Sequence, residues 1–350
     1  MTVDVERQQV LAYRIAAQGL HRETGDPAEL ETFELGFQDT PTGSAQQAVA
    51  ARLSEVPQAE LAGTRPFTLL WAVRGAPHLH RAGGLSNLAA ALWPLSDEDA
   101  AARMGALGPH LKRVGVPERI ALSKTATAFR ASVSVPMTKG EASAAITERI
   151  PEELSSWCRG CQARHVNDQL MRLAALPAGI RIEPGSAPLT FHRIARWPGV
   201  PSKPAGTEAL VESYLRLLGP ATESDVAGYL GTRGPEVRPV WPEDLIEVRV
   251  DGRKTRLPED RIDALFGAER TGLVRLLPPY DPYLQARDRA LLLPDKAQRS
   301  SLWRGLPVRR GRCSSTTRSP ASGEPRRVAR AASISPSTRS RSLRPAPRSP

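Results

Sequence analysis

Between residues 207 and 260 the spacing of apolar positions changes from helical to strand-like within one short stretch. In EALVESYLRLLG they fall at Leu210, Val211, Tyr214, Leu217 and Leu218, a single helical stripe. Gly219-Pro220 stops it. Thr222 then opens ESDVAGYLG, with Asp225 at the fourth position of a capping box. Arg233 to Arg238 reads as a short third helix broken by Pro235 and Pro239. DLIEVRVDGRKTRL alternates with period two around Asp251-Gly252, the strongest short hairpin signal.

Helix, helix, short helix and two-stranded wing is the order of a winged helix-turn-helix. The same order is legible twice more. VLAYRIAAQGL carries a stripe at Val10, Leu11, Ile15 and Leu20. PAELETFELGF reads as a second helix and SAQQAVAARL, capped by Ser44, as a third, with RPFTLLWAVRGAPHLH as the wing. Later come a capped helix, TKGEASAAITERI, and a hairpin candidate, AGIRIEPGSAPLTFHRIARW. No stretch repeats another at a fixed period, so the repeat is structural. TGLVRLLPPYDPYLQARDRALLLPDK reads as strands separated by a Pro-rich turn. The expectation is an α+β chain of three tandem winged-helix units, 1–90, 91–200 and 201–270. An incomplete β-rich domain at 271–304 follows them.

Composition changes this picture mainly at the end of the chain. A length of 350 residues suits two or three domains, and 40% apolar content suffices for cores. No run approaches the 18 apolar residues of a membrane span. The start, MTVDVERQQV, lacks the pattern of a signal peptide. Three cysteines make no disulfide framework. These features predict a soluble, cytoplasmic and reduced chain; a monomer is expected. The net charge of +11 suggests nucleic acid. Yet residues 305–350 hold 11 Arg, no Lys and one acid, Glu324, which leaves residues 1–304 at +1. That tail is rich in Arg, Ser, Pro and Ala, so disorder is expected. GC-rich DNA read out of frame gives this composition. Back-translating Pro307 to Arg327 with GC-leaning codons and shifting two nucleotides yields RPPGPLLVDDEIAGEWRAAS, which reads as a β-hairpin. A frameshifted tail is therefore expected, testable by resequencing across the codons for Leu302 to Pro307.

Several groups could carry chemistry. Cys158 and Cys161 have C-x2-C spacing with His165 four residues on, three ligands of a structural zinc site. His192 is a candidate fourth ligand, and Cys313 lies in the tail. The plainer reading is two small thiols and a surface histidine. Arg74 and His78 flank the Gly75 turn and read either as DNA contacts or as a solvated wing tip. Asp281, between Tyr280 and Tyr283 and upstream of Arg287 and Arg289, reads as a turn aspartate bonding its own backbone. GFQDTPTGSA sets Gln38, Asp39 and Thr40 before a helix start, as a cap or as a catalytic pair. A Gly-rich phosphate loop, a G-x-S-x-G elbow and H-E-x-x-H are all absent from the sequence.

GFQDTPTGSAQQAVAARL, WAVRGAPHLHR, YLRLLGPATESDVAGYLG, VDGRKTRLPED and RLLPPYDPYLQARDRALLLPDK stand in this order. Together they resemble the bacterial winged-helix DNA-binding domain family of the AlkZ- and YcaQ-type DNA glycosylases, over residues 10–304. The hidden-frame ending EIAGEWRAAS is similar to that family's next segment. The resemblance implies three winged helices arranged concavely around double-stranded DNA, then a C-terminal β domain, with no required cofactor. It implies a monofunctional glycosylase excising alkylated or crosslinked bases through a Gln–aliphatic–Gln or Gln–aliphatic–Asp motif. Gln38 falls on the first Gln, Asp39 on the aliphatic position and Thr40 on the second polar position. Gln38 would then orient water, helped by Asp39 or Thr40. The expected DNA contacts are Arg74, His78, Arg233, Arg253 and Lys254. The Gln-Asp-Thr departure predicts weakened catalysis. The alternative expectations are a non-catalytic DNA-binding or regulatory protein, and a truncated product without function.

Overall fold

The computed structural model describes residues 2–303 and the short strand Ala332–Ser333. The hidden-frame segment and Cys313 lie outside the described residues. The chain opens with β1 (Thr2–Val5), α1 (Arg7–Ala17), β2 (Phe37–Gln38), α2 (Ser44–Ala50) and the hairpin β3 (Phe67–Trp71) and β4 (Pro77–Arg81). Helices α3 (Leu85–Ala91), α4 (Asp97–Met104), α5 (Leu107–Arg113) and α6 (Glu118–Ser132) follow. Next come β5 (Met137–Thr138), α7 (Lys139–Thr147), β6 (Ser155–Cys158), β7 (Ala163–Val166), α8 (Asp168–Ala175), β8 (Ile180–Ile182) and β9 (Thr190–Arg193). Helices α9 (Thr207–Leu218), α10 (Glu223–Leu230) and α11 (Gly234–Val237) precede β10 (Leu245–Val250), β11 (Arg253–Pro258) and α12 (Ile262–Gly267). Then come β12 (Leu276–Leu277), α13 (Arg289–Leu292) and α14 (Lys296–Leu302). The architecture is α+β.

Local signals set the 207–258 segment. The α9 stripe is buried, and the Thr222–Asp225 capping box forms at the start of α10. Asp251 and Gly252 both have positive φ, 48° and 84°, as a two-residue hairpin turn requires. The start of the chain completes this unit. β1 runs parallel to β10, pairing Thr2 with Glu247 through Val5 with Val250. Val10 and Tyr13 of α1 share a core with Val248, Leu257 and Leu265.

A second sheet has strand order β2-β4-β3-β8-β9-β5. It joins strands from residues 37–81 to strands from residues 137–193, so their hairpins lie in one layer. Trp71 meets Phe191 edge-on at 5.0 Å, and Phe129 meets Phe191 at 5.2 Å, at the centre of the core formed with α4–α8. Phe33, Phe37 and Phe67 make a smaller core with α2.

Three local expectations are corrected. PAELETFELGF forms two 3-10 turns, Pro27–Glu29 and Glu31–Glu34, because Leu30 between them is extended. Ser44 does not cap α2; its hydroxyl turns back to donate to the Gln38 carbonyl at 3.2 Å. After the Pro-rich turn the described chain is helical rather than extended. Asp281 nucleates a 3-10 turn, Pro282–Gln285, by accepting the Tyr283 N–H, and Asp295 caps α14 through the Gln298 N–H.

Candidate active site

β2 ends at Gln38, paired with His78 of β4. The approach needs glycine at 36, where φ is 73° and a Cβ would lie 2.4 Å from the His80 ring. Gln38 is 7% exposed. Its Oε1 accepts a hydrogen bond from Gln285 Nε2 at 2.8 Å and a longer one from Arg74 Nη2 at 3.4 Å. Arg74 Nη2 also donates to Gln285 Oε1 at 3.1 Å. The three side chains therefore close a ring of hydrogen bonds. Arg74 further donates to the Tyr229 carbonyl, and its guanidinium lies 5.3 Å from the Tyr229 ring centre. Burial, and then the neighbouring Arg287 cation, pull its pKa down to about 10, so it remains charged at neutral pH.

Arg74 reaches this position from a tight connection. Its own φ is 58°, uncommon for a residue with a side chain, and Gly75 follows at 70°. A Cβ on Gly75 would come within 2.7 Å of Arg172 Cβ in α8. Gln285 arrives between two buried ion pairs. Arg52, just past α2, grips Asp281 with two bonds of 2.8 Å, and both side chains are fully buried. Arg14 of α1 grips Asp288 with bonds of 3.0 and 2.7 Å, also buried. Such paired, charge-assisted contacts fix orientation as well as distance. Asp281 thus does bond its own backbone, and it also anchors the segment that carries Gln285.

Asp39 and Thr40 sit differently. Asp39 Oδ1 accepts the Gly43 and Ala45 N–H groups at 2.8 and 3.1 Å, so this carboxylate holds the start of α2. Burial raises its pKa, and those backbone donors oppose the rise. Thr40 is half-buried in the turn. No hydrogen bond joins the Gln38 amide to either residue.

His78 and His80 are buried, and His78 Nδ1 lies 2.8 Å from the Ala76 carbonyl. Burial drives their pKa values down to about 3 and about 4, so both rings are neutral at pH 7. Arg253 lies at the start of α10 and Arg233 just past its end, and Lys254 follows on β11 opposite Arg249. Arg253 bonds Asp225 at 2.7 Å, Arg233 bonds Glu236 at 3.2 Å, and Lys254 is exposed. Arg74 packs on Gly231 at the other end of α10, where a Cβ would meet Arg74 Cγ at 3.0 Å. Cys158, Cys161 and His165 are brought together, with their ligand atoms all within 4.8 Å of one another. His192 stands apart on β9, 3.7 Å from Glu183.

The site therefore presents one amide, braced by a second amide and a permanent cation. It can orient a small polar molecule, but no carboxylate bonded to Gln38 is placed to give up a proton. Sequence reasoning missed Gln285. Its one local signal is an amide in the short apolar run Pro-Tyr-Leu-Gln-Ala, all of whose neighbours are buried.

A family model described as DNA glycosylase AlkZ-like matches residues 34–317. Among solved structures, Streptomyces sahachiroi DNA glycosylase AlkZ is similar in fold, with a TM-score of 0.65 and 22% identity over 85% of this chain and 82% of that one. A search of the curated proteins finds no match.

Proposed function

The chain belongs to the AlkZ-like DNA glycosylase family, and on that premise we propose that it cleaves the N-glycosidic bond of alkylated bases in duplex DNA, with Gln38 at the reacting centre. The ring of hydrogen bonds among Gln38, Gln285 and Arg74 carries this reading. A purine alkylated on a ring nitrogen is already a cation and leaves without being protonated. The reaction then needs a placed water and a dipole facing the positive charge that grows on the sugar, more than it needs a general acid. That demand suits a motif whose carboxylate, Asp39, is engaged at the start of α2. Gln285 supplies the second amide that the motif lacks at Thr40. Gln285 and Arg74 are positioning residues, which restrict the Gln38 amide to one plane before substrate arrives. The Arg74 charge would oppose a sugar cation at contact, so its place is behind the amide.

We read α9 to β11 as one winged helix of three, with Arg233, Arg253 and Lys254 meeting phosphates. The protein would act as a cytoplasmic monomer without a required cofactor. Among the described residues no helix is long and apolar enough to cross a membrane. A second reading, a DNA-binding protein without catalysis, is favoured by the low exposure of Gln38.

Release of N7-methylguanine from duplex DNA separates the two. Wild type should release the base, and Gln38→Ala and Gln285→Ala should each slow release by about 10²-fold while binding undamaged duplex equally well. Equal release by wild type and Gln38→Ala would remove Gln38 from the mechanism. Binding without release by wild type would support the second reading.

A further inference from the structure

We propose that Cys158, Cys161 and His165 bind one zinc ion at the β6–β7 hairpin. This site is independent of the glycosylase reading. In the hairpin register, Ser156 faces His165 and Cys158 faces Ala163. Side chains two apart share a strand face, so Cys158 and His165 lie diagonally on the same face. The turn Arg159-Gly160 brings Cys161 back beside them, helped by Gln162 at a φ of 51°. The result is two sulfurs and an imidazole nitrogen within 4.8 Å of one another. Zn–S bonds of about 2.3 Å and Zn–N bonds of about 2.0 Å require only a modest contraction of that triangle.

A second observation points to a ligand. His165 Nε2 is shut off from solvent and has no hydrogen-bond partner among the described residues. Buried imidazole nitrogens are normally satisfied, so an orphan beside two thiols calls for something to bind. Two thiolates and an imidazole are a soft donor set that selects zinc among the common divalent ions. Binding releases two thiol protons, and the centre of Zn²⁺ with two thiolates is electrically neutral. Water completes the fourth position, since all three residues are only half-buried.

The site sits where stiffness is useful. β7 leads directly to Asn167, whose side chain caps α8. Gln169 of α8 reaches the Arg74 carbonyl, and Arg172 stacks on Trp71 at 4.8 Å beside the Gly75 contact. Zinc would hold the hairpin that supports the connection carrying Arg74.

The test uses the full chain. Elemental analysis of purified wild type should give one zinc per chain. Cys158→Ser and His165→Ala should each lose it, and Cys313→Ser should keep it. Cobalt added to the metal-free wild-type chain should give thiolate-to-cobalt charge-transfer absorption and tetrahedral visible bands, a readout that stands even if the variants fold poorly. Metal-free protein without that absorption on cobalt addition would overturn the proposal. So would zinc retained in Cys158→Ser at the wild-type level.

Discussion

The two hairpins β3–β4 and β10–β11 both read in sequence as a wing, two strands around a glycine-containing turn, yet they occupy opposite environments. β10–β11 keeps the alternation in space, one face in the core and one in solvent, with its Asp251-Gly252 turn exposed. β3–β4 is walled in: β2 and β8 flank it within the sheet, and both of its faces are covered, Leu69 and Trp71 packing into one cluster and Leu70 and Ala72 against Leu85, Ala89 and Leu176 in another. Its polar residues therefore face protein. His78 and His80 become neutral buried rings, and Arg74 turns inward to Gln38 and Gln285. The same local pattern yields an exposed surface in one place and a braced interior site in the other. What decides is whether a second layer packs on the other face, Leu69 and Trp71 entering one core and Leu70 and Ala72 another, which is not a local property.

The strongest way to break the interior arrangement is to cut one of its buried ion pairs. Arg52→Ala leaves Asp281 charged and buried without its partner. Loss of about 3–5 kcal/mol is expected, measured by urea or thermal unfolding. Arg52→Met with Asp281→Leu should recover part of that loss, because the uncompensated charge is gone. No recovery would mean that the pair also specifies how the 281–288 segment packs.

Acid should act next, and through the same hairpin. His78 and His80 titrate at about 3 and about 4 in the folded chain, against an ordinary value of 6.5. Between those values the unfolded chain binds more protons, so stability is full above pH 6.5 and falls as pH drops through the folded values. At pH 5 the loss is about 2 kcal/mol for each histidine. His78 is held down by burial first, then by His80 and Arg74; His80 is held down by burial and Arg81. Unfolding midpoints across pH 7 to 4.5 should show the decline, and His78→Gln should flatten it. A flat wild-type profile would mean that these rings are solvated.

These outcomes also show what the sequence can carry. The α9 stripe, the Thr222–Asp225 box and the Asp251-Gly252 turn are legible because cause and effect lie within a few residues. Gln38 is legible only through family likeness, and its partner Gln285 stands 247 residues away along the chain. No window of sequence links them; the Arg52–Asp281 and Arg14–Asp288 pairs do so only once folded. Asp39 fails for a subtler reason. Both it and Ser44 are good cap residues, and the choice between them rests on Gly43 at a φ of 89°, which turns the Ser44 hydroxyl back onto the Gln38 carbonyl. The histidines of β4 mislead because alternation says which residues share a face, not whether that face meets water.

The smallest effect on stability, and the cleanest contrast, belongs to Lys254. It is exposed on β11 opposite Arg249, and among the described residues no ion pair holds it. Lys254→Ala should shift unfolding by no more than about 0.5 kcal/mol. If the β10–β11 hairpin meets DNA, the same change removes one phosphate contact. The slope of log affinity against log salt should then fall by about 0.9 for duplex DNA, whatever its sequence. Arg253 is a poorer probe, because its bond to Asp225 at the start of α10 mixes binding with folding. An unchanged salt slope for Lys254→Ala would place the DNA elsewhere. It would also remove the functional half of the contrast between the two hairpins while leaving the structural half intact.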